Sequence, residues 1–342
     1  MNYYQILKIT GIILLIFSLF ILIPISAAFF YGESIDNFLQ SFLIIFFVGL
    51  LAYFPNKKER SQIKIREGFL IVAIFWFVLS FFGAIPFLMD ESLKFSLVDA
   101  VFESTSGWTT TGATVVSNID NLNKPLLLYR QLLQWLGGIG IVVLVLAILP
   151  ILGVGGMYLY KAETSSPVKD NKLSPRITET AKSLWGVYIV LTIACAVLYK
   201  IAGMSYFDAI GHSFSTVSIG GFSTHDASIG FYSSDLIKII CMVFMFLSAL
   251  NFVLHFLFYK NKSLTVYTSN SEMKSFLLII IILLLLVAIF STGGRIQSIE
   301  NIDIMFHILS FATTSGFTVS NYSNWPTFII TIVFLSSFIG AC

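Results

Sequence analysis

Eight stretches of mostly apolar residues, each about the length a helix needs to cross a bilayer, leave this chain few folds to adopt. They lie near positions 9–30, 37–54, 68–89, 125–150, 184–203, 232–259, 275–292 and 326–342. A transmembrane barrel would instead show shorter segments of alternating apolar and polar residues. Only 11% of the 342 residues are charged and 57% are hydrophobic, whereas a soluble domain averages about 25% charged. The chain is therefore expected to be an all-α polytopic membrane protein. Its first run, with Lys8 ahead of it and Pro24 and small residues behind, has the outline of a signal peptide. It exceeds the apolar region of about 7–15 residues that a signal carries and is read as a spanning helix. Cys195, Cys241 and Cys342 show no metal or disulfide spacing and are read as packing residues.

Basic residues set the orientation. Lys57, Lys58, Arg60, Lys64 and Arg66 fall in one connection, Lys161, Lys169, Lys172, Arg176 and Lys182 in another, and Lys260, Lys262 and Lys274 around a third. With Lys8 these share one face, which the positive-inside rule makes cytoplasmic. The opposite connections carry acids, among them Asp90, Asp99, Asp120, Asp208, Asp226 and Asp303. Arg130 and Lys238, near the outer ends of the fourth and sixth runs, are expected to snorkel to the interface. Gly137, Gly138 and Gly140 are read as close-packing positions in a membrane helix.

One hydroxyl-rich pattern occurs three times. Aligning Gly112, Gly221 and Gly316 superposes DAVFESTSGWTTTGAT, DAIGHSFSTVSIGGFS and DIMFHILSFATTSGFT. Asp99, Asp208 and Asp303 stand thirteen residues before the glycine, Glu103, His212 and His307 nine before, and Ser106, Ser215 and Ser310 six before. Thr114, Ser223 and Thr318 stand two after it. Each copy lies in an outward connection between two apolar runs. Three copies in register point to a repeated unit rather than to ordinary packing segments.

The spacing within each copy predicts a short helix N-capped by the Asp, followed by an extended segment. Such a segment enters a bilayer only where its backbone lines a watery cavity, and there its carbonyls can replace the hydration shell of an ion. Glycine admits the φ > 0 conformations that aim carbonyls to one side. The partly negative C-terminus of the preceding helix favours a cation, and carbonyl and hydroxyl oxygens suit an alkali ion better than a divalent one. Glu103, His212 and His307 are read as hydrogen-bonding supports of these helices rather than proton carriers. A membrane-embedded enzyme built on His212, His225, His307 and Asp226 is the rival reading, but no HExxH, GxSxG or Walker pattern supports it.

At these residues the sequence resembles the Trk/Ktr/HKT superfamily of potassium transporters. STSGWTTTGATV, STVSIGGFSTHD and TTSGFTVSNYSNWP are similar to its first three filter segments. YRQLLQWLGGIGIVVL resembles its first M2 helix, and AETSSPVKDNKLSPRITETAKSLWGVY the cytoplasmic link that follows. The extra helix pair at 1–58 fits the Trk branch. The resemblance implies M1–pore-loop–M2 units around a pseudo-four-fold axis, here at 59–160, 161–262 and 263–342. It places potassium at a filter of Thr110, Thr111, Gly112, Ile219, Gly220, Gly221, Thr314, Ser315 and Gly316, with Asp99, Glu103, Ser106, Asp208, His212, Ser215, Asp303, His307 and Ser310 in support of the pore helices. Glycine at all three filter positions implies potassium selectivity, whereas serine at the first is linked in the family to sodium passage.

Further implications are a cytoplasmic regulatory partner with nucleotide-binding RCK domains of the TrkA kind, a homodimer, placement in the bacterial inner membrane with the N-terminus cytoplasmic, and no cofactor, enzymatic activity or nucleic-acid partner. Gly340, Ala341 and Cys342 match the start of the family's gate loop in the third M2 helix. The remainder of that helix and a fourth repeat are expected after it, so the sequence reads as a truncated form, with a non-conducting fragment as the alternative. Potential-driven, gated uptake is the expected energetics, with proton symport second.

Overall fold

A computed structural model describes residues 2–57, 65–140, 174–291 and 301–340. Among them the regular structure is helical throughout. The helices are α1 (Tyr3–Tyr31), α2 (Asp36–Tyr53), α3 (Ile65–Gly83), α4 (Ile85–Met89), α5 (Leu97–Trp108), α6 (Lys124–Gly138) and α7 (Ser174–Ile201). They continue as α8 (Tyr206–Val217), α9 (Asp235–Ala249), α10 (Phe252–Asn261), α11 (Thr265–Ser269), α12 (Ser271–Ser291), α13 (Asn301–Ala312) and α14 (Thr327–Ser336). The helical stretches at 3–31, 36–56, 67–89, 182–201 and 271–289 are long and apolar enough to span a membrane. The end of the fourth apolar run, 141–150, and the connection after it as far as residue 173 lie outside the described residues.

The sixth apolar run does not form the single helix its hydropathy suggests. Leu250 adopts an extended conformation (ψ 151°) after α9, and Asn251 caps α10 by accepting from Val253 N at 3.0 Å. The two helices are bent by 92°. An apolar run reports burial or lipid contact, not helical continuity, and a backbone-bonding Asn is enough to restart the helix.

The described residues fall into two compact units, one of Met1–Thr109, Ala113–Val116 and Asn121–Gly186, the other of Thr110–Gly112, Ser117–Asp120 and Val187–Cys342. In the first, α1 packs along α2 and also meets α3 and α6, while α5 lies against α3 and α6. Close approach of α1 and α2 needs two glycines: a Cβ on Gly11 would sit 2.6 Å from Tyr53 N, and one on Gly49 3.1 Å from Leu15 N. Trp108, at the end of α5, packs edge-on against Phe17 at 5.2 Å, and the Tyr129 hydroxyl donates to Gly83 O at 2.8 Å. At one end of this unit Glu33 accepts from Lys124 N at 3.0 Å. Asp90 accepts there from the side-chain amides of Asn37 (3.3 Å) and Asn123 (3.1 Å).

In the second unit α13 packs on α9, α12 and α14, and α8 on α9. Val287, Ile304, Ile308, Trp325, Ile329, Ile332 and Val333 form its apolar core. Tyr199 of α7 bonds Thr216 of α8 through their hydroxyls at 2.8 Å. Both units therefore present short helices, α5, α8 and α13, each of 12 residues, held by longer neighbours.

Candidate functional site

Two of the three short helices share one N-terminal design. α5 is capped by Ser96, whose hydroxyl accepts from Asp99 N at 3.2 Å while Asp99 accepts from Ser96 N at 3.1 Å. Ser205 caps α8, accepting from Asp208 N at 3.0 Å and donating its hydroxyl to the Asp208 carboxylate at 2.7 Å. In both, the N-cap is the serine three residues ahead and the Asp sits at the third helical position, where in α5 its carboxylate completes a capping box; Asp303 likewise lies inside α13 rather than at its cap. The expectation that Asp itself caps these helices is corrected here. A capping signal is a pair of positions, and the repeat register drew attention only to one of them.

Each helix ends in a segment with the same backbone signature. Thr110 (φ 52°) and Gly112 (φ 76°), Ile219 (φ 56°) and Gly221 (φ 80°), and Thr314 (φ 62°) and Gly316 (φ 79°) are all left-handed. Thr111, Gly220 and Ser315, which lie between them, are not. In an ordinary strand successive carbonyls point to opposite sides. Reversing the handedness of alternate residues turns them toward one side, and a non-glycine residue held there is strained and calls for a reason.

The segments also lie against one another within the second unit. A Cβ on Gly112 would fall closer than 3.0 Å to Gly220 O, and one on Gly221 closer than 3.0 Å to Ser315 O. Each of these glycines therefore gives up its side-chain space to the carbonyl of the next repeat. Nothing lies within 4 Å of a Cβ on Gly316. The backbone turns are secured by the helix ends: Gly220 N donates to Ser215 O at 2.8 Å and Ser315 N to Ser310 O at 2.9 Å. The Ser310 hydroxyl donates to Phe317 O at 2.7 Å, whereas the buried hydroxyls of Ser106 and Ser215 meet no hydrogen-bond partner among the described residues.

The residue nine before each glycine ties the segment beyond it in two of the three repeats. Glu103, fully buried, accepts from the Thr114 hydroxyl at 2.9 and 3.0 Å and from Val115 N at 3.1 Å. His212 Nε2 lies 2.9 Å from the Ser223 hydroxyl and its Nδ1 2.9 Å from Asp208 O. His307 Nδ1 likewise lies 2.8 Å from Asp303 O, and its ring packs edge-on against Trp325 at 4.9 Å.

Two cations missed by sequence reasoning belong here. Arg130 is 1% exposed. Its Nε donates to Glu103 Oε1 at 2.8 Å and an Nη to Thr114 Oγ1 at 3.0 Å. Lys238 Nζ, also buried, donates to Asp303 at 2.9 Å and lies 3.3 Å from Asp235. Neither snorkels. A buried guanidinium or ammonium needs a counter-charge, and Glu103 and Asp303, already marked by the repeat, were the available partners. Of the residues expected to begin a gate loop, Gly340 is left-handed (φ 71°), and Ala341 and Cys342 lie outside the described residues.

Comparison with known proteins bears on this arrangement. The model of a family described as "TrkH: Cation transport protein" matches residues 34–342. The Trk system potassium uptake protein TrkH of Halomonas elongata is 46% identical over 347 residues, covering 100% of this chain and 72% of the relative. That of Escherichia coli K12 is 45% identical with the same coverages, and the Trk system potassium uptake protein TrkG of the same strain is 39% identical over 97% of this chain and 69% of its own. The crystal structure of the potassium transporter TrkH from Vibrio parahaemolyticus superposes with a TM-score of 0.87 at 42% identity, over 100% of this chain and 71% of that one.

Proposed function

The chain belongs to the TrkH family of cation transport proteins, and on that premise we propose that it takes up potassium through a filter of backbone carbonyls. A transport family, not an enzyme family, is the frame, so the histidine–aspartate enzyme is set aside. The filter residues are Thr110, Thr111 and Gly112, Ile219, Gly220 and Gly221, and Thr314, Ser315 and Gly316. The observation that carries this reading is the interlocked backbone. Three segments repeat one alternation of handedness, and Gly112 and Gly221 make room for carbonyls of the neighbouring segment. Carbonyl dipoles gathered in this way can replace the water around a weakly hydrated cation. Potassium is cargo here, not a cofactor.

Glu103 with Arg130, His212, and the helix-end carbonyls of Ser215 and Ser310 hold the walls still. Asp99, Ser106, Asp208, Asp303 and His307 support the pore helices. The repeated unit is M1–pore-loop–M2, at 59–160, 161–262 and 263–342 behind a helix pair at 1–58, arranged about a pseudo-four-fold axis. Basic connections on one face place the N-terminus in the bacterial cytoplasm and let the filter segments enter from outside. The relatives are named as parts of a Trk system. Their naming supports a regulatory partner, for which an RCK-domain protein of the TrkA kind on the cytoplasmic face is the proposed identity, and a homodimer is the proposed assembly. A membrane potential supplies about 2.3 kcal/mol per charge per 100 mV, enough to drive cation entry without a coupled ion.

Growth of potassium-uptake-deficient bacteria at low external potassium tests the reading. Expression of the protein with its regulatory partner should restore growth, and Gly221→Asp at equal membrane level should abolish it. Absence of rescue by the parent protein, with membrane insertion confirmed, overturns the assignment.

A further inference from the structure

Beyond the filter segments, the loops that leave the first and second of them are locked together. Asp120 Oδ1 lies 2.6 Å from His225 Nδ1, and its Oδ2 accepts from Asp226 N at 3.3 Å. Asp226 answers by accepting from Ile119 N at 3.0 Å and Asp120 N at 3.4 Å. Each loop's carboxylate thus caps the other loop's amides. The His225 amide donates to the Ser223 hydroxyl at 3.0 Å, the same hydroxyl that meets His212. Ser223 stands two residues beyond Gly221, so the lock runs along hydrogen bonds to the edge of the filter.

The imidazole of His225 is the titratable centre of this lock. Its Nδ1 faces Asp120, and its Nε2 lies 3.5 Å from Asp208 Oδ1 on α8. The ring stacks on Phe231 with centroids 3.5 Å apart and planes within 3°. Tyr232 lies edge-on at 5.7 Å and the His212 ring at 6.3 Å. Asp226 is its chain neighbour. Two carboxylates, Asp120 and Asp208, thus face a ring flanked by His212 and Tyr232. A neutral imidazole donates from one nitrogen only and presents a lone pair to the other carboxylate, whereas an imidazolium donates from both.

We propose that protonated His225 is a positioning residue for the outer mouth of the ion pathway, clasping the exit loop of the first filter segment to that of the second. Release of the clasp in alkaline medium then weakens potassium uptake and selectivity. This rests on the potassium reading above. The electrostatics agree in direction. Burial pushes the ring's pKa down, but hydrogen bonding and charge from Asp208 and Asp120 outweigh it, so the net position is above the ordinary 6.5. The clasp is therefore closed at neutral pH and opens as pH rises through that raised value.

Rubidium uptake, with and without competing sodium, is measured in cells expressing the protein at external pH from about 6 to about 9, and each variant is compared with the parent at equal surface level. His225→Gln keeps one hydrogen bond but cannot charge. It should lower uptake and rubidium-over-sodium preference by about twofold to fivefold at the acid end, the range of a partly exposed ion pair. At the alkaline end it should match the parent, giving a flatter profile. Asp120→Asn, which keeps the loop shape and removes a carboxylate facing the ring, should move the parent's fall in uptake to lower pH. The proposal is overturned if the parent-to-variant ratio for His225→Gln is constant across pH, or if Asp120→Asn leaves the profile in place. Parent cells that accumulate no rubidium at any pH would instead overturn the potassium reading itself.

Discussion

Replacing Gly221 with alanine isolates the claim that filter glycines exist to admit a neighbouring carbonyl. The new methyl would fall closer than 3.0 Å to Ser315 O, where ordinary contact begins at 3.4 Å, so one segment must retreat by more than about 0.4 Å. Both partners are backbone, so no side chain can swing away. At φ 80° the alanine also meets the left-handed penalty of about 1–2 kcal/mol. Overpacking adds about 1–3 kcal/mol, for a total of about 2–5 kcal/mol set into the ion site. Because a binding constellation tolerates only about 0.5 Å of displacement, the lower end of that range already predicts about a thirtyfold loss of selective ion occupancy. Gly32→Ala serves as control. Gly32 is also left-handed (φ 69°) but has nothing within 4 Å of its Cβ position, so it carries the conformational penalty without the collision. Rubidium uptake with sodium as competitor should be strongly impaired in Gly221→Ala and near normal in Gly32→Ala. Uptake and preference in Gly221→Ala within about threefold of the parent would refute the steric reasoning.

Three further outcomes follow from the packing and charge. Glu103→Ala should lower stability by about 3–5 kcal/mol, because it strands the buried Arg130, and adding Arg130→Met should restore part of the loss; thermal melts in detergent test this, and additive losses would contradict it. Gly11→Leu should force α1 from α2 at the contact with Tyr53 and Gly49, lowering the melting temperature with an overpacking cost of about 1–3 kcal/mol; an unchanged melt would show that the pair is not close-packed there. Thermal stability should also fall at both ends of the pH scale. Burial raises the Asp208 pKa, but His225, Ser205 and Thr224 outweigh it and hold the carboxyl well below 3.8, so its contribution is present above about 3.8 and lost as pH falls through its lowered value. His225 acts in the opposite sense, its contribution being complete below about 6.5 and lost as pH rises through its raised value. Melts of His225→Gln should lose part of the alkaline limb and also weaken the acid one, because His225 is the foremost of the groups holding the Asp208 carboxyl down.

Much of this molecule is legible in its sequence for a physical reason. Lipid leaves a chain no option but long apolar helices, so α1, α2, α3 and α12 follow from run length alone. The register of Gly112, Gly221 and Gly316 marks the left-handed positions because φ near 80° selects glycine. The partners Thr110, Ile219 and Thr314 are left-handed too, and nothing in Ile or Thr signals it, since they are held there by the fold. Long-range pairing is the other blind spot. Arg130 and Lys238 look like interfacial anchors until Glu103 and Asp303 are brought beside them, and a hydropathy run cannot reveal that Asn251 breaks α9 from α10. The clasp of Asp120, His225 and Asp226 joins loops more than a hundred residues apart, both of them outside the repeated sixteen-residue pattern.

Three strained segments are proposed to form walls of a potassium site. Anomalous diffraction from crystals of the protein soaked in rubidium tests this most directly. The expected result is a peak ringed by the carbonyls of Thr110–Gly112, Ile219–Gly221 and Thr314–Gly316, displaced by excess potassium and indifferent to equal sodium. Rubidium bound only elsewhere, with no peak among those carbonyls, would contradict it.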